Sequence, residues 1–333
     1  MSMRTVRRTA EESIGSGALP PAGIAPGGPP SPGTPMAGPA SDGHMAVSGT
    51  RWPASAPQQP PPLPHMRQTA LLEASAMTPH HEALARLLWH AEQRREPIEP
   101  LSATFPELGL WDAYRVQAIG RQLRAAEGEE LRGWKVGLTS AAMQEMMGVD
   151  QPDGGYLLES MVVNSGAQLR AERFIQPRVE AEIAFLLKSG LQGPGVTREE
   201  VLEATQAFAP ALELIDSRIA QWRIGIVDTV ADNASSGMAV IGDWHDAEDV
   251  RVEELGVSLA LGPEIVRGRG EAVLGHPAEA VAWLAGILAQ SGERLEPGDI
   301  VLPGSVARAV PIAAGQAAYA TFDRLGEVSV GLV

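Results

Sequence analysis

The amino-acid sequence predicts an α+β protein, with two helices near its start and many short strands after them. In residues 80–95 and 110–126, apolar side chains recur three or four positions apart, which is the spacing of an amphipathic helix. From residue 131 onward, short runs of branched, aromatic and apolar residues between turn residues predict strands. Between the later predicted strands, the apolar pattern of residues 277–290 predicts one clear helix. Runs of helix followed by runs of strand are typical of the α+β class.

The first 76 residues differ in composition from the rest of the chain. Fourteen of the 27 prolines lie before position 65, among glycine, serine and alanine. Such a segment cannot bury enough apolar area to offset the entropy lost on folding. We therefore expect a disordered tail over residues 1–76, and the patterns above predict a helical part over 77–130 and a β-rich domain over 131–333.

The composition argues against several classes of function. The 333 residues carry a net charge of −15, which disfavours nucleic acids and anionic membranes as partners because like charges repel. The sequence has no cysteine, so disulfides and thiolate zinc sites are excluded. No apolar run reaches the roughly 18 residues that a membrane span needs. We therefore expect no membrane span, and we expect a cytoplasmic protein.

The segment from Gln176 to Leu187 predicts a strand that carries two acidic side chains. Residues two apart on a strand point to the same face, so Glu180 and Glu182 project together from an otherwise apolar segment. Neighbouring buried carboxylates repel each other and lose hydration. A hard divalent cation, which prefers oxygen ligands, would remove both penalties. The alternative is an exposed edge strand with two solvated acids, since charged residues usually face water.

A second apolar segment, Pro210 to Asp216, places Glu213 between core-like residues. It follows a predicted helix over residues 197–208. Three acids on two short strands can form one face of an octahedral site for Mg²⁺ or Mn²⁺, with waters or a chelating substrate in the other positions.

Five sequence blocks, which occur in a fixed order, give a more specific indication. They are GWKVGLTS (133–140), GVDQPD (148–153), PRVEAE (177–182), PALE (210–213) and DTVADNAS (228–235). Together they resemble the 2-keto-4-pentenoate hydratase family, which also holds 2-oxohept-4-ene-1,7-dioate hydratase and 4-oxalocrotonate decarboxylase. This family belongs to the fumarylacetoacetate hydrolase superfamily. The resemblance runs from about Met77 to Val333.

The resemblance implies a fold and a set of functional residues. The fold is a β-rich roll of mixed sheets, as in the C-terminal domain of fumarylacetoacetate hydrolase, with a small N-terminal helical part. The cofactor is Mg²⁺ or Mn²⁺, and the implied metal ligands are Glu180, Glu182 and Glu213. The implied catalytic residues are Lys135 and Asp153, and the implied substrate contacts are Asn233, Ser235 and Ser305.

The implied activity is hydration of 2-hydroxypenta-2,4-dienoate, also drawn as 2-oxopent-4-enoate, to 4-hydroxy-2-oxopentanoate in aromatic-compound catabolism. The implied partners are a small anionic 2-oxo or 2-hydroxy acid as substrate, further copies of the chain in a homo-oligomer, and neighbouring meta-cleavage enzymes. Two related activities stay open, namely decarboxylation of 4-oxalocrotonate and hydration of 2-oxohept-4-ene-1,7-dioate. A hydrolytic or non-catalytic member with a structural metal is a third alternative, which the intact acids, Lys135 and Asp153 disfavour.

Several of these positions also have a plain structural interpretation. Lys135 lies in the middle of a predicted strand, 131–139, from which a lysine on a sheet edge can extend into water. The predicted loop 148–155 carries Asp153, and it is either a simple turn or a lid over the site. Gly304 and Ser305 either form a plain turn or offer a backbone N–H and a hydroxyl to an oxyanion. Turns alone can also explain the polar segment 228–237.

Overall fold

A computed structural model describes residues 79–140, 143–145 and 148–333 of the chain. The tail predicted over residues 1–76 lies outside this part, and so do residues 141, 142, 146 and 147. The helices that position the site are α1 (Pro79–Arg94), α2 (Leu101–Thr104), α3 (Leu110–Ala126), α4 (Arg198–Ala204), α5 (Ile226–Ala231) and α6 (Pro277–Gln290).

The N-terminal helical part has a small core of its own. Leu84 and Leu88 of α1 are buried together with Val116 and Ile119 of α3, as their helical spacing predicts. Val230 of α5 belongs to the same cluster, although it lies far away in sequence. The helices predicted over 80–95 and 110–126 are confirmed. Through Val230, helix α5 packs against this helical part just before the chain enters strand Ser236–Ile241.

The strands all lie in the described chain after the N-terminal helical part. The strands are β1 (Leu131–Gly137), β2 (Asp153–Leu158), β3 (Val162–Asn164), β4 (Ala167–Leu169), β5 (Arg178–Leu187), β6 (Thr205–Ile215), β7 (Ser236–Ile241), β8 (His245–Asp246), β9 (Gly256–Leu261), β10 (Glu264–Arg269), β11 (Ile300–Leu302), β12 (Val310–Pro311), β13 (Ala317–Phe322) and β14 (Gly326–Leu332).

The strands form two sheets. The larger has nine strands in the order β2-β1-β11-β5-β6-β7-β3, with β12 paired to β5 and β8 paired to β6. The smaller has five strands in the order β10-β9-β13-β14-β4. The larger sheet is mixed, because β1 and β11 are parallel whereas β5 and β6 are antiparallel. The expected roll of mixed sheets is confirmed.

The main core lies between the two sheets and helix α6. Phe185 of β5 and Phe208 of β6 are fully buried and meet edge to face, with ring centroids 4.7 Å apart. Leu259 of β9 and Leu284 of α6 belong to the same cluster. Full burial of each such side chain contributes about 1.5–3 kcal/mol. This packing fixes β5 and β6 from one side and leaves their opposite face to the site.

Helix α6 is apolar and largely buried. Together with the turn before it, the stretch Gly270–Gln290 has the length and the mean hydropathy, 1.4, of a possible membrane span. The α-helical section has 14 residues, which rise about 21 Å at 1.5 Å per residue, less than the roughly 30 Å of a bilayer's hydrocarbon core. Within the fold, 56% of the apolar window is buried, as expected of a core helix.

Two segments differ from the sequence-based expectations. Asp153 to Gly155, expected in a loop, begin strand β2 and pair with β1 in antiparallel register. The helix expected over 197–208 ends at Ala204, and the residues from Thr205 onward continue as strand β6. Both differences arise because pairing with a neighbouring strand outweighs local propensity.

Candidate active site

Strands β5 and β6 bring three carboxylates together at the centre of the larger sheet. Glu180 lies directly opposite Glu213 in the antiparallel register, and Glu182 follows two positions along the same strand. One carboxylate oxygen of each residue lies within 4.8 Å of the others. Small side chains on this face, such as Ala184 and Ala211, leave the acids room. The strand is central and not an edge, so the alternative of two solvated acids on an exposed edge is wrong.

The environment of these acids is strongly unfavourable for negative charge. Glu182 and Glu213 are fully buried, and Glu180 is half-buried. Burial, reinforced by the charge of Glu213, raises the pKa of Glu180 to about 7 and holds that of Glu182 well above its ordinary value. Burial also raises the pKa of Glu213. Desolvation and like-charge repulsion together produce these shifts.

Three oxygens of Glu182 and Glu213 lack a hydrogen bond within the described chain. Glu182 Oε1 and both oxygens of Glu213 are buried without a hydrogen bond from any described residue. Glu182 Oε2 accepts from the Gly304 N–H at 2.8 Å, so this amide serves the acid rather than an oxyanion. Buried polar atoms are nearly always satisfied. A set of convergent, unpartnered carboxylate oxygens therefore fits a hard divalent cation, for which oxygen is the preferred ligand.

Lys135 of β1 is the cation closest to the three acids in the described part of the chain. Its Nζ lies 3.4 Å from Glu213 Oε2 and donates to the Ala234 carbonyl at 3.0 Å. The side chain is only 3% exposed, and β1 lies between β2 and β11, so the edge-strand interpretation is wrong. Burial alone would lower the pKa of Lys135, but the charges of Glu213 and Asp153 outweigh burial and raise it. The ammonium group is charged at neutral pH.

Asp153 stands beside this lysine in a strand and not on a mobile lid. It is the first residue of β2, lies opposite Gly137 of β1, and is 2% exposed. Thr229 Oγ1 donates to Asp153 Oδ2 at 2.9 Å, whereas Oδ1 is buried without a partner in the described chain. Burial raises the pKa of Asp153 above its ordinary value despite the nearby Lys135. A Cβ at Gly137 would lie 2.3 Å from Oδ1, so the neighbouring strand needs glycine there.

The three predicted substrate contacts differ in what their side chains are free to do. Asn233 accepts from the Tyr156 N–H at 2.8 Å and donates one of its two side-chain N–H hydrogens to the Tyr156 carbonyl at 3.0 Å. Ser305 Oγ donates to the Ala307 carbonyl at 2.5 Å. Ser235 Oγ is buried and has no partner among the described residues. Of the three side chains, that of Ser235 is therefore the least engaged in hydrogen bonds.

Sequence reasoning missed several residues that support the site. Thr229 holds Asp153, and Gln117 of α3 donates to the carbonyls of Gly154 and Val230, both at 2.8 Å. Arg218 is buried and ion-paired with Asp232. Thr229 and Asp232 lie within the block 228–235, so that block contained the signal. Nothing local in the sequence around Gln117 distinguishes it from an ordinary helical residue.

The comparison with protein families decides the family. The model of the fumarylacetoacetate hydrolase C-terminal domain matches residues 132–333. The chain belongs to the fumarylacetoacetate hydrolase family. Within this family, the chain is 44% identical to the 2-hydroxyhexa-2,4-dienoate hydratase of Comamonas testosteroni. The aligned 253 residues cover 75% of this chain and 96% of the relative.

Other members of the fumarylacetoacetate hydrolase family are also similar. The 2-keto-4-pentenoate hydratase 2 of Dechloromonas aromatica is 41% identical over 250 residues, which are 74% of this chain and 95% of the relative. The solved 4-oxalocrotonate decarboxylase of Pseudomonas putida G7, complexed with magnesium and adipate, is 36% identical. Its TM-score is 0.75, with 76% of this chain and 97% of that chain covered. The resemblance inferred from the five sequence blocks is confirmed.

Proposed function

We propose that the protein is a metal-dependent hydratase that converts 2-hydroxypenta-2,4-dienoate to 4-hydroxy-2-oxopentanoate in aromatic-compound catabolism. One observation carries the proposal: three carboxylates, two of them fully buried with unpartnered oxygens, converge beside a charged lysine and a buried aspartic acid. Relatives at 41–44% identity that are named as hydratases of such dienoates support it. The enzyme is then a carbon–oxygen lyase.

The metal would be Mg²⁺ or Mn²⁺, held by Glu180, Glu182 and Glu213. When bound, such an ion would act as a Lewis acid and stabilise negative charge that develops on the substrate. A magnesium complex of the decarboxylase relative supports a divalent cation of this kind.

Lys135 and Asp153 would do the remaining chemistry. The Lys135 ammonium, charged and dehydrated, stabilises the negative charge that develops when the 2-hydroxyl of the dienol loses its proton. Asp153 Oδ1 carries protons: C5 gains one as the dienol becomes the conjugated 2-oxo-3-enoate. A water then adds its hydroxyl to C4 and its proton to C3. Burial raises the pKa of Asp153 and so favours the protonated form that a proton donor needs.

Ser235, Asn233 and Ser305 complete the proposal as substrate contacts, and Ser235 has the strongest support because its buried hydroxyl is unpartnered. We further propose that the protein acts in the cytoplasm as a homo-oligomer, on a small anionic 2-oxo or 2-hydroxy acid supplied by neighbouring meta-cleavage enzymes.

Two related reactions are the main alternatives. Decarboxylation of 4-oxalocrotonate is favoured by the likeness to the solved decarboxylase, and it needs the same stabilisation of a dienolate. Hydration of 2-oxohept-4-ene-1,7-dioate differs only in substrate length and in a second carboxylate. The six-carbon monoacid of the Comamonas relative is a further candidate substrate.

The test is a competition among candidate substrates. The Mn²⁺-loaded protein is offered the five-carbon dienol, the six-carbon dienol and 4-oxalocrotonate together, and products are followed by NMR. We expect 4-hydroxy-2-oxopentanoate to form first, and loss of dienol absorbance to accelerate when metal is added. Release of CO₂ from 4-oxalocrotonate without hydration of either dienol would replace the hydratase by a decarboxylase.

A further inference from the structure

One short segment contacts both proposed catalytic side chains. Within residues 228–235, Thr229 Oγ1 donates to Asp153 Oδ2 at 2.9 Å, and the Ala234 carbonyl accepts from Lys135 Nζ at 3.0 Å. Both hydrogen bonds are buried. The relative position of Asp153 and Lys135 therefore depends on helix α5 and on the turn that follows it.

The segment is itself anchored on both sides of Thr229. Asp228 accepts from the backbone N–H and from the hydroxyl of Ser102, at 2.9 and 2.6 Å. Asp232 is ion-paired with Arg218, whose guanidinium also donates to the Ser236 carbonyl at 2.8 Å. These anchors hold three consecutive non-glycine residues, 233–235, at positive φ angles of 55°, 50° and 52°. Such angles persist only where the surroundings enforce them, so the segment is a rigid support.

We propose that Thr229 is a positioning residue that decides which oxygen of Asp153 exchanges protons with the substrate. A hydroxyl has one hydrogen to donate, and Thr229 donates it to Oδ2. Oδ1 is left without a partner in the described chain. In this arrangement Oδ1, beside Gly137 and Lys135, is the oxygen that is left free to take up a proton. The inference rests on the proposed function, in which Asp153 moves a proton.

The test replaces the hydroxyl without changing the shape of the side chain. In the metal-loaded full-length protein, Thr229→Val should lower kcat about 10- to 100-fold, the range expected when a hydrogen bond to a charged or acidic group is lost. KM and Mn²⁺ affinity should stay within about twofold, because Thr229 contacts neither the three acids nor Lys135. Thr229→Ser, which keeps the hydroxyl, should restore most of the turnover.

A matched control comes from a second buried threonine. Thr205 is 1% exposed, and its hydroxyl donates to the Val201 carbonyl at 2.7 Å, away from Asp153. Thr205→Val should lower the melting temperature about as much as Thr229→Val and should leave kcat unchanged. If both variants lose the same turnover, or if Thr229→Val keeps full kcat, Thr229 has no positioning role.

Two further measurements separate this inference from the proposed function. The activity of Thr229→Val is compared with that of wild type on whichever of the three candidate substrates wild type converts. The test therefore stays valid if the preferred substrate is not the one proposed. A crystal structure of Thr229→Val should show the Asp153 carboxylate rotated from its wild-type position. If the Asp153 carboxylate keeps its wild-type position, the inference is overturned. This result can be read even if wild type is inactive on all three candidate substrates and the proposed function fails.

Discussion

Four acids and one lysine meet at the centre of the larger sheet, and their charges do not cancel. Glu180, Glu182, Glu213 and Asp153 all have raised pKa values because burial disfavours their charged forms. Lys135 balances one negative charge. The negative charges of the acids in turn raise the pKa of Lys135 and keep it protonated. A divalent cation would bring the cluster close to neutrality, which makes the metal and the lysine complementary rather than alternative sources of positive charge.

This balance gives a prediction for Lys135→Met, which keeps most of the length of the side chain but removes its charge. Because the ammonium lies 3.4 Å from a carboxylate proposed to bind metal, its loss removes a repulsion, and Mn²⁺ affinity should be unchanged or higher. Turnover should fall about 100-fold or more, the scale of lost charge stabilisation and proton transfer. Calorimetric Mn²⁺ titration and steady-state kinetics measure the two effects.

Lys188→Met is the matched control for this substitution, because Lys188 is exposed and should affect neither quantity. Loss of Mn²⁺ binding in Lys135→Met would instead mean that the lysine supports the metal site and does not act on the substrate.

At the scale of elements, the sequence predicted those features that depend on local pattern. Helices α3 and α6 match their predicted bounds, since apolar spacing and, for α6, Pro277 in the first turn are local signals. The facing of Glu180 and Glu182 follows from strand alternation alone. The pairing of Glu180 with Glu213, and the bond from Thr229 to Asp153, depend on tertiary contacts that no local pattern contains.

The placement of Asp153 in a loop was wrong for a specific physical reason. Adjacent glycines such as Gly154 and Gly155 are typical of a turn, but here their small size permits close packing of β2 against other elements. A Cβ at Gly155 would lie 2.6 Å from the Asn233 carbonyl oxygen and 3.0 Å from Asn233 Oδ1. Glycine in a strand often marks such a close approach, and the approaching group is distant in sequence.

This packing predicts opposite effects for two glycine substitutions. Gly155→Ala should destabilise the fold by about 1–3 kcal/mol, because the added methyl group collides with the turn at Asn233. Gly286→Ala, in the middle of α6, meets nothing within 4 Å and should stabilise by about 0.5–1 kcal/mol through helix propensity. Urea unfolding of the two variants and wild type measures both. Equal stability of Gly155→Ala and wild type would contradict the close contact.

At the scale of the whole molecule, the helical part belongs to the catalytic unit. The family match begins at residue 132, after the first three helices. Yet Gln117 of α3 bonds to Gly154 of β2 and to Val230 of α5, and Ser102 of α2 anchors Asp228. The two elements that carry Asp153 and Thr229 are therefore joined through the N-terminal helices.

Metal binding should stabilise the whole fold. A ligand present at 100 times its Kd, and bound only by the folded state, adds about 2.7 kcal/mol to the free energy of unfolding. Mn²⁺ should therefore raise Tm, and EDTA should reverse the increase. Glu182→Gln should respond little to metal and should melt higher than wild type in EDTA, because it removes one repelled buried charge.

Glu248→Gln is the control for an exposed acid and should behave as wild type does in both conditions. An equal response of Glu182→Gln and wild type to Mn²⁺ would remove Glu182 from the ligand set.

Deletion of residues 1–76 should leave turnover and melting temperature nearly unchanged. The composition of this segment argues against a packed core, and the hydratase relatives are matched over 95–96% of their own length by about three quarters of this chain. Thermal melting and kinetics of the shortened protein provide the measurement. A loss of folding on deletion would show that the segment packs on the body.

The unpartnered carboxylates also bear on how long the protein survives in a cell. Proteases cleave the opened chain, and when opening is fast relative to cleavage, degradation follows the population of that state. A protein whose opened population rises when divalent metal is scarce is removed faster under metal starvation. If Glu180, Glu182 and Glu213 hold the metal as proposed, the abundance of the enzyme would follow the supply of that metal.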